Sequence, residues 1–130
     1  MSVSFEDLDV WKMACQLYVE LYQLLKNCRE YYLRDQIMRS ALSIPSNIAE
    51  GSERGSIKEF RQFLNIAKGS AAELRTQVYI LGKIGIIGEK KALDIAETLK
   101  RISRMMQALG DSLKKDRQSK FFREPTTDNR

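Results

Sequence analysis

The chain has 130 residues, 43% hydrophobic and 30% charged, with a net charge of +5; this is the size of one soluble domain with a core of its own. It contains no histidine, and its two cysteines, Cys15 and Cys28, lack CxxC spacing, which excludes histidine-bearing metal sites, a serine–histidine relay and a disulfide framework. The start, MSVSFEDLDVWK, lacks the apolar core of a secretory signal, and no apolar run approaches the roughly 20 residues that span a bilayer, so the cytoplasm is the expected location and no membrane the expectation.

Apolar residues recur at alternating spacings of three and four, the period of a helix buried on one side. In the first segment Leu8, Trp11, Cys15, Tyr18, Tyr22 and Leu25 form one seam, and Val10, Ala14, Leu17, Leu21 and Leu24 a second beside it. Ser4 with Asp7 has the spacing of a capping box and is expected to start this helix. The second segment, Leu33, Ile37, Ala41, Ile44 and Ile48, keeps its phase through Pro45, so a helix kinked at the proline is expected rather than two helices.

Gly51 and Gly55 bracket a polar turn, and Ser56 with Glu59 forms a second capping box. The third segment runs Phe60, Leu64, Ala67, Ala71, Leu74, Val78, Leu81 and ends among Gly82, Gly85 and Gly88; the fourth runs Ala92, Ile95, Leu99, Ile102, Met106, Leu109, Leu113. Four amphipathic segments with short connections predict an all-α, up-down-up-down antiparallel four-helix bundle over residues 1–114. Residues 115–130 lose the period and are expected to form a flexible basic tail. Within it, the adjacent Phe121 and Phe122 suit a partner surface, a base stack or the subunit's own surface.

The stretch SIPSNIAEGSERGS, residues 43–56, carries the polar residues that most resemble a site. Gln36, Ser40, Ser43, Asn47 and Glu50 share one stripe of the second segment, and Ser70 and Glu73 lie three apart on the third, beside a small residue, Gly69, that suits close approach of a neighbouring helix. Glu50 and Glu73 would serve as an acid–base or metal pair, as in carboxylate bundles. That pattern requires Glu-x-x-His, which this chain cannot supply, and no GxSxG, GxxxxGK[ST] or GxGxxG string occurs. The expectation is therefore a hydrogen-bonded network of Gln36, Ser43, Asn47, Glu50, Ser70 and Glu73 that fixes helix register and satisfies the carbonyl freed by Pro45. No catalytic residue, metal or cofactor is expected.

The first helix has two adjacent apolar seams where a monomeric bundle needs one. Leaving Val10, Leu17, Leu21 and Leu24 in water would forgo roughly 1.5–3 kcal/mol for each large side chain, so a homo-oligomer contact through them is expected, unless both seams are internal. Ile84 to Ile87 are a further candidate contact at the bundle end. On the third helix Lys58, Arg61, Lys68 and Arg75, spaced three, seven and seven apart, share a face about 25 Å long at 1.5 Å per residue. Such a row either follows phosphates or is a solvated face screened by Glu59, Glu73 and a neighbouring subunit's acids. Arg34, Arg39, Arg101, Arg104 and the tail are secondary candidates.

FEDLDVWKMA (residues 5–14), LRDQIMRSALSIPSNIAEG (33–51) and EFRQFLNIAKGSAAEL (59–74), in that order, resemble the family called four helix bundle protein or 23S rRNA intervening-sequence protein. The resemblance implies a small bacterial protein, encoded in intervening sequences of rRNA genes or at other loci, with the bundle fold and a homopentameric ring. It also implies kinship with the accessory variability determinants of diversity-generating retroelements, basic pentameric barrels regarded as binding nucleic acid and a reverse transcriptase. Residues and resemblance together lead to a non-enzymatic oligomer that binds RNA or DNA through basic surface residues. The alternative is a protein-interaction scaffold for a reverse transcriptase or other nucleic-acid-processing enzyme, without nucleic-acid binding of its own. An enzyme would instead need a pocket of converging polar groups with perturbed pKa values.

Overall fold

The computed structural model describes residues 4–120, so Phe121, Phe122 and the rest of the expected tail lie outside the described residues. A single 3-10 turn, Phe5–Asp7, precedes four helices: α1, Asp9–Leu25; α2, Tyr31–Glu53; α3, Ile57–Ile84; and α4, Glu89–Lys120. Among the described residues there is no strand. α4 continues past Lys114, taking the first part of the expected tail into the helix.

Local chemistry sets most of the boundaries. Ser56 has extended backbone; its hydroxyl oxygen accepts from the Glu59 amide at 3.1 Å and its hydroxyl donates to Glu59 Oε1 at 3.1 Å, so Ser56 caps α3 with the first half of the expected box, while the Glu59 carboxylate takes the Ser56 hydroxyl in place of the Ser56 amide. α3 ends on Gly85, at φ 81°, where the Ile86 amide donates to the Leu81 carbonyl at 3.0 Å. This is a Schellman termination, which needs a residue that tolerates left-handed backbone.

The Ser4/Asp7 pair does not start α1. The Ser4 hydroxyl is engaged by the Glu6 carboxylate, the Asp7 amide donates to the Ser4 carbonyl at 3.0 Å, and extended Leu8 separates this tight turn from α1. The turn is held instead by Phe5, whose ring meets Trp11 edge-on at 5.2 Å.

α2 runs unbroken through Pro45, which is buried. It also takes in Gly51, so the connection to α3 shortens to Arg54, Gly55 and Ser56, with Gly55 at φ 89°. Gly51 is a contact residue: a Cβ there would lie 2.6 Å from Phe63 Cβ and 3.1 Å from Phe60 Cδ1. Gly82 does the same for the next pair, with a Cβ position 2.8 Å from Ala92 Cβ.

These contacts give the direction of the helices. Gly51 meets Phe63 while Ser43 meets Ser70, so residue numbers fall along α2 as they rise along α3. Arg61 reaches Gly110 and Lys68 reaches Gln107, and Gly82 meets Ala92, so α3 and α4 are antiparallel as well. α2 packs chiefly on α1 and α3, α4 chiefly on α3, and the α1–α4 side is the least closely packed. One ion pair, Lys91 to Glu20 at 2.5 Å, crosses that side.

A single core cluster runs through all four helices, from Val10, Leu17 and Leu21 through Ile37, Ile44 and Ile48 to Leu64, Leu74, Leu81, Ile95, Leu99 and Met106. This corrects the expected oligomer contact. Val10, Leu17 and Leu21 are only 4%, 3% and 0% exposed, because this seam, completed by Leu25, is the one turned towards the other helices. Of the four residues only Leu24 stays open, at 38%. The seam left half-covered is the other one, Trp11, Cys15, Tyr18 and exposed Tyr22. Ile87 also belongs to the core, whereas Ile84 is exposed.

Gly51→Ala is expected to destabilise the fold by about 1–3 kcal/mol through overpacking against Phe60 and Phe63. Gly110→Ala, whose Cβ would meet only Leu64 Cδ1 at 3.8 Å, should stabilise α4 by about 0.5–1 kcal/mol. Urea denaturation of the two variants measures both; unchanged stability in Gly51→Ala would refute the close approach of α2 and α3.

Candidate nucleic-acid interface

The polar residues of α2 and α3 meet along one side of the α2–α3 contact. Ser43 and Ser70 share a hydroxyl–hydroxyl hydrogen bond of 2.7 Å, and the Asn47 amide donates to the Ser43 carbonyl at 2.7 Å and to the Ser43 hydroxyl at 2.9 Å. The four-residue step from Ser43 to Asn47 stacks them on one face of α2, which is why the bond forms locally. The network is smaller than expected. Glu50 leaves it for Arg54, at 3.4 Å, Glu73 is exposed, and Gln36 contributes no bond to it. The Asn47 amide also serves the Ser43 carbonyl and not that of Ala41, the one Pro45 leaves without its helical donor.

Gln77 belongs with this seam and was not visible as part of it in the sequence. It lies seven residues beyond Ser70, hence on the same side of α3, and its Oε1 is buried without a hydrogen-bond partner. Gly69, expected to admit a neighbouring helix, is exposed, and among the described residues no other helix comes within 4 Å of its would-be Cβ.

The basic row divides by its contacts. Arg61 and Lys68 lean over α4: Arg61 Nε donates to the Gly110 carbonyl at 3.2 Å and Lys68 Nζ to Gln107 Oε1. Both acceptors are neutral, so they orient the cations without cancelling their charge. Lys58 is exposed and Arg75 half-buried. Among the described residues none of the four takes part in an ion pair, although Asp111, which accepts from Gln107 at 3.1 Å, shares the shallow cleft with Arg61 and Lys68. Glu59, expected to screen the row, is instead paired with Arg54 at 3.2 Å.

No cluster of three or more His, Cys, Asp or Glu side chains suited to a metal occurs among the described residues. Burial pushes the Cys15 thiol above its ordinary value, which disfavours the reactive thiolate. Among the described residues no helix is long and apolar enough to cross a membrane.

A second feature is a cleft between α1 and α2 lined by Tyr18, Tyr22, Leu25, Lys26, Arg34 and Met38. The sequence held its signal: Tyr18, Tyr22 and Lys26 follow one another at four-residue steps, and four of the five tyrosines fall between residues 18 and 32. Their assignment to an apolar seam hid it.

Removing the unpaired oxygen with Gln77→Leu is expected to leave stability unchanged or raise it by about 1 kcal/mol, whereas Asn47→Ala, which abandons the Ser43 bonds, should cost about 1–3 kcal/mol. Thermal unfolding of both variants is the measurement, and a large loss in Gln77→Leu would show that its oxygen is satisfied.

No curated protein matches the chain closely enough to count as a relative. The family model described as 23S rRNA-intervening sequence protein matches residues 6–108, which takes in α1, α2, α3 and most of α4, with the seam and the basic row on them. The chain therefore belongs to the 23S rRNA-intervening sequence protein family.

Proposed function

We propose that this chain is a non-enzymatic, homo-oligomeric bundle of the cytoplasm that binds RNA or DNA backbones through the α3 face bearing Lys58, Arg61, Lys68 and Arg75. The observation that carries this reading is that the row is oriented but not neutralised. Arg61 and Lys68 are held by a carbonyl and an amide, the neighbouring Glu59 is committed to Arg54, and no ion pair among the described residues involves the row. An array of unpaired cations about 25 Å long matches a phosphate backbone better than it matches a buried contact. Arg101 and Arg104 on α4 are also exposed and are secondary candidates. Membership of a family named for intervening sequences in 23S rRNA is consistent with a nucleic-acid role.

The assembly part of this reading is supported by what the described residues leave uncovered. Ile66, Ile80 and Ile84 on α3 are 52%, 43% and 56% exposed, and Gly69 lies open on the same helix. Ile66, Glu73 and Ile80 repeat at seven-residue steps, so a neighbouring subunit's helix laid against this row would cover both isoleucines. Five is the subunit number that the family resemblance implies. Ile66→Glu combined with Ile80→Glu is expected to lower the mass measured by light scattering to that of a monomer; an unchanged mass would place the contact elsewhere.

The binding test uses Lys58→Glu/Arg75→Glu, which spares the Arg61–Gly110 and Lys68–Gln107 contacts and so the α3–α4 packing. Against a labelled structured RNA and a duplex DNA, the intact protein should bind with an affinity that falls steeply with salt. The variant should lose about tenfold or more at low salt and show a shallower salt slope, by about two phosphate contacts. Absence of binding by the intact protein near physiological salt would overturn this reading in favour of a scaffold for a reverse transcriptase or another nucleic-acid-processing enzyme.

A further inference from the structure

The cleft between the C-terminal half of α1 and the start of α2 brings together apolar, aromatic and cationic surface. Its volume is about 320 Å³, within the range of small-molecule sites. Its floor is apolar, made of buried Leu25 and half-buried Met38; Tyr18 and Tyr22, one turn apart on α1, supply aromatic surface; Lys26 and Arg34 supply positive charge. Tyr31 and Tyr32 begin α2 at the same end of the bundle, 59% and 80% exposed.

The cations are available to a ligand. Among the described residues Lys26 takes part in no ion pair. Arg34 is steadied rather than consumed: its guanidinium lies 5.0 Å over the Tyr31 ring, Nη1 donates to the Cys28 carbonyl at 3.5 Å, and Nε and Nη2 reach Asp35 Oδ1 at 3.4 Å. These contacts are long, and Asp35 is 65% exposed, so a phosphate oxygen can replace that carboxylate at little cost. Lys26, Arg29 and Arg34 stand against Glu30 and Asp35 in this corner, a surplus of one positive charge. The first turn of α2 carries no acidic residue and no side-chain cap, although its N-cap residue is Glu30.

We infer that this cleft binds a nucleotide, with the base against Tyr18 and Tyr22 and the phosphate held by Lys26 and Arg34. Flat rings beside a cation suit a base joined to a phosphate, and stacking accepts any base because every base has a π-face. A purely apolar segment would leave Lys26 without a partner and Arg34 with only the exposed Asp35 carboxylate. The nucleotide is either free or an unstacked residue of a single strand. In the second case the inference deepens the nucleic-acid reading above, giving single strands a second point of attachment apart from the α3 row.

The experiment titrates the full-length protein with AMP, UMP, adenosine, inorganic phosphate and a short single-stranded oligonucleotide, following tyrosine ring resonances by NMR and affinity by equilibrium dialysis. Tyr18→Leu/Tyr22→Leu and Lys26→Gln/Arg34→Gln are each expected to weaken nucleotide binding about tenfold or more, and Tyr22→Phe should retain it. Binding of AMP and UMP would identify a free nucleotide, and binding of the strand alone an unstacked residue; both support the cleft. Adenosine and phosphate should each bind more weakly than AMP. The duplex DNA titration proposed above separates the two proposals, since Lys58→Glu/Arg75→Glu should weaken duplex binding about tenfold or more and leave the cleft titration unchanged. No shift of the tyrosine resonances with either mononucleotide or strand, or equal affinity in both double variants, would overturn the inference.

Discussion

The contact between α2 and α3 is the constraint on which the rest of the molecule depends. At one end the absence of a side chain on Gly51 lets the helices meet over Phe60 and Phe63; further along, Ser43 and Ser70 share a hydroxyl bond of 2.7 Å that Asn47 completes. Hydrophobic burial alone permits two helices to slide, because leucine and isoleucine rows interlock at more than one register. A tight glycine contact and a directional hydrogen bond, placed apart on the same pair, admit only one register. The three-residue connection capped by Ser56 and Glu59 then holds both helices antiparallel.

Register in this pair propagates outwards. With the α2 side of α3 settled, the row Arg61, Lys68 and Arg75 must fall on the flank towards α4, where Gly110 and Gln107 receive the first two. Gly82 against Ala92 sets the distance between these helices at their other end. On the far side of α2, the same rotation turns Arg34 and Met38 towards α1 and so forms the tyrosine cleft. A basic face and an aromatic cleft therefore lie on different helix pairs, both oriented by one interface that carries no ligand.

Electrostatic economy separates the two kinds of cation in this chain. Arg54 is spent on Glu50 and Glu59 at the α2–α3 turn, Lys91 on Glu20, and Lys83, Lys90 and Lys100 on nearby carboxylates of the chain. Most of these pairs are exposed and contribute little to stability, but they remove charge from the surface. The α3 row keeps its charge because its fixed partners are neutral. Four cations left without an ion pair on one helix face matter more for attraction of a polyanion than the net charge of +5 does.

Helix number, the Ser56 start of α3 and its end among three glycines, continuation of α2 through Pro45 and the pairing of Ser43 with Asn47 were legible in the sequence, because each depends on residues within a turn or two of one another. The family was legible too, in three segments spread over the first three helices. Other features required the assembled fold. Both seams of α1 have helical period, and only packing decided that Val10, Leu17 and Leu21 go inside while Trp11, Tyr18 and Tyr22 stay half-covered. Glu50 and Glu73 share their spacing with the polar seam yet turn away from it, and Gln77 joins it without a local sign. Whether a cation is neutralised, or two tyrosines line a cleft with an arginine from the next helix, depends on groups distant in the chain. Periodicity determines which face a residue occupies on its own helix; only tertiary structure decides what that face meets.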